Sequence, residues 1–279
     1  MPSAHHAHAA DAWDSHATKW TSSVQQITLA PCTILLERAD KLLPLGSPSA
    51  RVLDNGAGAG QLTGLLKAKY PTVPVVATDI SQGMLDSLSY RSKQSNWQNT
   101  ETIVQDAQSL DQLEDDSLSH VFCTFVINFT EDPQKAIAEM HRVLRANGVV
   151  AILTWSEVSW VPFWEAAVRQ VSGDTSYTAP ALFHDGTTNL RWMEDAARKA
   201  GFQVVNVETM QCLHPEQNVD EAVQTFYGMG NPTIKLLMKG FDEHFIEATR
   251  TPFKKAYEDR WGAERQYEVP IMTVARKAA

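Results

Sequence analysis

The stretch VLDNGAGAG, residues 52–60, places three glycines in five positions directly behind an apolar run. A strand that runs into a glycine-rich turn and then a helix presents bare backbone N–H groups and a helix N-terminus, which suits polar or anionic ligand groups. RVLD (51–54) reads as that strand, and GQLTGLLKAKY (60–70) as the helix, with Leu62, Leu65 and Leu66 at helical spacing. A turn alone does not call for so many glycines, so Gly56, Gly58 and Gly60 read as backbone that a ligand approaches. Spacing then separates the nucleotide classes. The dinucleotide fingerprint G-x-G-x-x-G counted from Gly56 wants glycine at 61, where Gln61 stands, and no Gly-Lys-Ser/Thr ending follows for a P-loop.

Outward from this loop, short apolar runs alternate with amphipathic segments, the pattern of βαβ units and a mostly parallel sheet. VPVVATD (73–79) is a second strand, followed by a helix over 81–93 that Ser81 caps. ETIVQD (101–106) is a third, and SHVFCTFVIN (119–128) a fourth whose near-continuous apolar run suits burial on both faces. A helix over 131–148 has Pro133 in its first turn and Asn147-Gly148 at its end, and VVAILTW (149–155) is the fifth strand. Residues 156–188 are rich in aromatics and turn formers, LRWMEDAARKAGF (190–202) restores a helix ended by Gly201, and QVVNVETM (203–210) and EVPIMTVAR (268–276) are two late strands. Between those strands lies a helical pattern broken at Gly228-Met229-Gly230-Asn231-Pro232. An insertion is more economical than a second domain there, because the chain returns to a strand.

These residues resemble the first motif of the class I S-adenosylmethionine-dependent methyltransferases, an acidic residue and then alternating glycines, matched by Asp54, Gly56, Gly58 and Gly60 with Ala57 between them. The run PQKAIAEMHRVLRANGVVAILTW (133–155) is similar to the ubiquinone/menaquinone-biosynthesis-like branch, with Asn147 in place of the first glycine of the usual pair. Asparagine tolerates a left-handed backbone, so the turn should survive. The resemblance implies a Rossmann-like, seven-stranded, mostly parallel sheet with its last strand antiparallel and helices on both faces. An N-terminal helical region and a helical insertion between strands six and seven complete that α/β fold. A leader over 1–18 would precede a single domain over 19–279, with N-terminal helices to 49, a cofactor-binding core over 50–155, and substrate-side insertions over 156–188 and 214–262. The motifs cover 50–155 well and the inserted helices hardly at all.

The same resemblance assigns residues. Asp79, 23 positions beyond Gly56, would accept both ribose hydroxyls, a task for a carboxylate. Ile80 and Met84 follow it in the cofactor site, and Asp106 with Ala107 would bracket the adenine, with Asp111, Asp115 and Asp116 as nearby competitors. Val126 and Asn128 would face the methionine half, and Trp20 matches an N-terminal aromatic that covers the cofactor or simply packs. The acceptor wall falls to Phe129, Trp155, Trp160, Phe163 and Trp164, and to Phe226, Tyr227 and Met229 in the insertion, although a hydrophobic core under a loop would look the same. No catalytic residue stands out. His184 and His214 are weak candidates for a base, without partner carboxylates at telling spacing; His141 reads as a packing residue and His120 as exposed.

The reaction implied is methyl transfer to a small organic acceptor, a thiol, a phenol or other hydroxyl, or an amine, in secondary-metabolite or quinone-like metabolism. A non-catalytic S-adenosylmethionine-binding regulator is the main alternative, and a nicotinamide-dependent oxidoreductase, against which Gln61 argues, the lesser one. The net charge of -9 across 279 residues, without a Lys/Arg run, disfavours nucleic acid. The three cysteines are widely spaced, which gives no zinc motif and suits a reducing, cytoplasmic compartment, and no metal motif appears. His5, His6, His8 and His16 lack a carboxylate or cysteine frame. No apolar run approaches ~18 residues, so no membrane span is expected. Monomer and homodimer stay open.

Overall fold

The structure, a computed structural model, describes residues 10–14, 17–213, 218–229, 232–262, 264 and 266–279. Five strands, β1 (Val52–Asn55), β2 (Val75–Asp79), β3 (Thr100–Val104), β4 (Leu118–Thr124) and β5 (Leu144–Glu157), pair in parallel, and β6 (Phe202–Thr209) completes the set at the far edge. The last strand, β8 (Tyr267–Lys277), runs antiparallel between β5 and β6, so the sheet reads β3-β2-β1-β4-β5-β8-β6. This is the seven-stranded arrangement the sequence implied. One strand went unread: β7 (Cys212–Leu213), two residues that pair with β8 off the main path.

Period-2 alternation loads both faces of the sheet. Along β5, Val149, Ala151 and Leu153 pack with Cys32, Leu35 and Ala39 of α2 (Ala17–Leu42) and with Leu62 and Leu66 of α3 (Gln61–Lys69). Val150 and Ile152 pack on the opposite side with Ile137 and Met140 of α5 (Pro133–Val143) and Met193 and Ala197 of α7 (Leu190–Lys199). The punctuation reads as expected. Ser81 caps α4 (Gln82–Gln94) by accepting from the Met84 N–H at 3.1 Å, and Pro133 opens α5 behind the Asp132 cap. Gly201 closes α7 at φ 99°, but the helix expected to run to Asn147-Gly148 stops at Val143, and Asn147, left-handed at φ 62°, makes its turn inside β5.

Three other expectations differ from the structure. The fourth strand stops at Thr124 instead of running to Asn128, because Phe125 turns to φ 61° and Ile127–Phe129 form a 3-10 turn. Within 156–188, read as aromatic loop, lies α6 (Val161–Ser172): Pro162 is compatible with a first helical turn and left-handed Gly173 ends it. His120, expected at the surface, is fully buried in β4, with Nε2 2.9 Å from the Leu43 carbonyl and Nδ1 2.8 Å from Ser119 Oγ. Burial pushes its pKa down to about 4, against the opposing pull of the Leu43 hydrogen bond.

The insertion forms α8 (Val219–Met229), α9 (Pro232–Met238), α10 (Glu243–Ala248) and α11 (Arg250–Trp261). With α6 these helices bury an aromatic cluster of their own, centred on Phe163, Trp164, Phe226 and Phe253. Among the described residues no helix is long and apolar enough to cross a membrane.

Candidate active site

The parallel strands end on one edge of the sheet, and a cleft opens there, as in other open α/β sheets. Asp54 closes β1 beneath its floor. Its Oδ2 accepts from the Thr63 N–H (3.1 Å) and hydroxyl (2.6 Å), so the carboxylate caps α3 from across the loop. Oδ1 has no partner among the described residues, and burial pushes the carboxyl up to about 6 while the Thr63 bonds resist and the Asp79 charge adds to the rise.

The three glycines are all left-handed, at φ 76°, 53° and 82°, yet they serve different ends. A Cβ on Gly56 would lie 2.3 Å from Val126 Cγ2, and one on Gly60 would lie 2.8 Å from Leu88 Cγ. These two let the loop pack. A Cβ on Gly58 would meet nothing within 4 Å, and Gly58 lines the cleft. Its bare backbone faces space that a ligand can fill.

Asp79 ends β2 and is held by backbone donors: Oδ2 accepts from the Gly58 N–H at 2.8 Å and Oδ1 from the Ser81 N–H at 2.9 Å. Burial raises its pKa against those hydrogen bonds. A carboxylate offers about four lone-pair sites, so the Gly58 and Ser81 donors, with the Ile80 backbone as a weaker third, still leave it able to accept from a ligand. Beyond β3, Asp106 Oδ1 accepts from the Gln108 N–H at 2.9 Å, and the Gln108 amide in turn accepts from the Asp132 N–H. Gly56, Ala57, Gly58, Asp79, Ile80, Met84, Asp106, Ala107 and Val126 all line this one cleft.

Of the other residues assigned to the cofactor, Asp54 and Gly60 support the loop from below, and Asn128 acts as a brace. Its side chain accepts from the Trp155 N–H at 2.7 Å and donates to the Trp155 carbonyl at 3.2 Å and to Thr187 Oγ1 at 3.1 Å. The Trp20 side chain and His214 lie outside the described residues. Trp13 covers the cleft on the N-terminal side. It sits in α1 (Ala10–Asp14), inside the stretch read as leader, with its ring 5.5 Å from that of Phe129, and the neighbouring Asp14 accepts from Ser81 Oγ and from the Gly83 N–H at 2.9 Å.

The acceptor wall divides. Phe129, Trp155 and Trp160 line the cleft, Trp155 stacking on Phe125 at 4.1 Å and Phe129 meeting Phe183 edge-on at 5.3 Å. Phe163, Trp164 and Phe226 instead form the buried core of the helical cap, and Trp160 bridges the two through Phe226 at 5.4 Å. Tyr227 bonds Thr249 at 2.8 Å under the Arg250 guanidinium, and the Met229 side chain lies outside the described residues. His184 is away from the cleft lining, its Nδ1 2.8 Å from the Asp185 carbonyl. The described residues hold no cluster of His, Cys, Asp and Glu able to bind a metal.

Sequence reasoning missed several lining residues, among them Thr28, Cys32, Gln105, Phe125, Thr233 and Glu268. Cys32 is buried, and desolvation raises its thiol, which removes it as a nucleophile. Glu268 did leave a signal: it is a lone charge entering the apolar run of β8 and is 3% exposed. Its carboxylate accepts from the Ser159 N–H at 3.0 Å and hydroxyl at 2.7 Å.

A family model described as a methyltransferase domain matches residues 53–152. The methyltransferase tpcH of Aspergillus fumigatus is 29% identical over 184 residues, 61% of this chain and 64% of that protein. A malonyl-[acyl-carrier protein] O-methyltransferase of Methylococcus capsulatus is 35% identical over 164 residues, 59% of this chain and 56% of that protein. The match therefore spans less than two thirds of either relative. Among solved structures, a Haemonchus contortus phosphoethanolamine N-methyltransferase 2 in complex with S-adenosyl-L-methionine aligns with TM-score 0.52 at 17% identity over 88% of this chain and 52% of that one. The [4+2]-cyclase SpnF aligns with TM-score 0.57 at 15% identity over 93% and 84%. The matched segment carries the strand, the glycine loop and both cleft aspartates, so residues 53–152 of this chain match a methyltransferase domain.

Proposed function

We propose that this chain transfers the methyl group of S-adenosylmethionine to a small organic acceptor bearing a thiol, a phenolic or other hydroxyl, or an amine. The reading is carried by one observation: the Gly58 backbone, Asp79, Asp106 and the aromatic rings of Phe129, Trp155 and Trp160 converge on a single cleft. The cofactor suits these residues. The open face of Gly58 leaves room against the backbone, Asp79 has lone pairs left for a ribose diol, and Asp106 with Ala107 flanks the place for a base.

When bound, the cofactor supplies a methyl group already activated by its sulfonium, so the protein's task is chiefly geometric. Asp79 would fix the ribose by accepting hydrogen bonds from its hydroxyls. Trp155, braced by Asn128, and Phe129 hold a flat acceptor and exclude water. Such positioning contributes up to ~7–11 kcal/mol when it reaches a near-attack geometry. No histidine lines the cleft among the described residues, which favours acceptors that need little help in losing a proton, such as thiols and phenols. The aromatic wall supports a small organic acceptor of the secondary-metabolite or quinone-like kind, and the net charge of -9 disfavours nucleic acid as partner.

SpnF carries this fold and is named a cyclase, so turnover is the test that matters. Calorimetric titration should show S-adenosylhomocysteine binding to the wild type and not to Asp79→Ala, and a panel of thiols, phenols and amines should yield S-adenosylhomocysteine from S-adenosylmethionine. Tight cofactor binding with no release across the panel would instead identify a binding protein without turnover.

A further inference from the structure

Sheet order separates the cleft's acids. Asp79 and Asp106 follow β2 and β3 at one end, whereas Glu268 enters the cleft from β8, two strands beyond β4. At ~4.8 Å between neighbouring strands and ~3.3 Å per residue, Glu268 stands roughly 10 Å across the sheet from the end of β4 and roughly 13 Å further along it, because Thr124 is level with Met272 of β8, four residues away. That is too far for a group that touches the transferred methyl. Both ends line the same cleft, so an acceptor lying past Trp155 and Trp160 would present its remote end to Glu268. Ser159 holds the Glu268 carboxylate in place with its N–H and hydroxyl, and Gln266 donates to that hydroxyl from the other side. Among the described residues the cleft lining contains no Lys, Arg or His. An acceptor with a free carboxylate would therefore meet a buried acid where it needs a base.

We propose that Glu268 is a specificity-determining residue that selects acceptors carrying an ammonium or hydroxyl group at the end remote from the methylated atom, and rejects those with a carboxylate there. This rests on the methyl-transfer reading of the cleft and adds the polarity of its substrate. A fixed carboxylate only accepts hydrogen bonds, so its complement is an N–H or O–H donor, strongest when cationic.

Three probes differ at that end alone: tyramine, tyrosol and 4-hydroxyphenylacetate. Ligand-observed NMR titrations in saturating S-adenosylhomocysteine should place tyramine at least about tenfold tighter than 4-hydroxyphenylacetate, with tyrosol between them. In Glu268→Gln the tyramine to 4-hydroxyphenylacetate ratio should fall to within about threefold, while calorimetric affinity for S-adenosylhomocysteine stays at the wild-type value. A role confined to bracing the Ser159 loop would weaken all three probes alike and leave the ratio standing, which would overturn the proposal. Equal affinities in the wild type, or no binding of any probe, would overturn it too, and this arm decides the matter if Glu268→Gln does not fold. Failure of the wild type to bind S-adenosylhomocysteine would instead remove the cofactor reading beneath it.

Discussion

At the scale of single residues, the glycine loop separates two reasons for having no side chain. Gly56 and Gly60 give way to Val126 and Leu88, whereas Gly58 gives way to space in the cleft. An alanine at 56 should cost roughly 2–5 kcal/mol, combining left-handed strain with overpacking against Val126. An alanine at 58 bears only the strain, about 1–2 kcal/mol, yet should weaken S-adenosylhomocysteine more than tenfold by filling the face the ligand needs. Urea midpoints and calorimetry on the two variants check this together: Gly56→Ala should lose mainly stability and Gly58→Ala mainly affinity. Wild-type affinity in Gly58→Ala would mean that the ligand does not approach the loop there. The sequence showed all three glycines but could not divide them, because the division depends on Val126 and Leu88, 70 and 28 positions away from their respective glycines.

At the scale of elements, legibility followed how local the signal was. α5 announced itself through the Asp132 cap, Pro133 and its amphipathic stripe, all at or within its own span. β4 misled because Phe125, Val126 and Ile127 are as apolar as the strand before them, and nothing in their side chains records the left-handed turn at Phe125. α6 was hidden by Pro162 and its aromatics, which suggest loop until Phe163, Trp164, Ala167 and Val168 are seen to fall on one buried side. α1 is the extreme case. Five residues cannot hold a helix unaided, so it depends on docking, with Asp14 accepting from Ser81 and Gly83 and Trp13 against Phe129. Asp14→Ala removes two hydrogen bonds to the start of α4 without touching the sheet. The melting temperature should move by less than about 2 °C, while S-adenosylhomocysteine binds several-fold more weakly because Trp13 no longer covers the cleft. Unchanged affinity would show that α1 is packing and not part of the site.

At the scale of the whole molecule, the succession of strands and helices and the two packed faces were readable because period-2 and period-3.6 patterns report which side is buried, whereas the order of strands in the sheet came only with the structure. The placement of polar groups inside that packing was not readable either, since it is set by partners far along the chain. His120 lies between the Leu43 carbonyl and Ser119, and Asp54 lies under the glycine loop; both are buried and both have shifted pKa values, with opposite consequences for stability. His120 titrates near 6.5 when unfolded and about 4 when folded, so its neutral form is no handicap above pH 6.5, and stability is lost as the pH falls from 6.5 toward 4 while the unfolded chain takes up the proton. Asp54 titrates near 3.8 when unfolded and about 6 when folded, so stability is lost as the pH rises from about 4 to 6 and regained on acidification. Between pH 7.5 and 5 the histidine costs about 2 kcal/mol and the aspartate returns about 1, so the wild type alone shows little slope from the pair. The difference between wild type and His120→Gln isolates the histidine, because Asp54 is common to both. The variant should be the less stable at pH 7.5, having lost its buried hydrogen bonds, and its deficit in urea unfolding should shrink by about 2 kcal/mol by pH 5. A deficit that stays constant over that range would mean His120 is not held neutral by its burial, and that the joint between β4 and the end of α2 carries a charge.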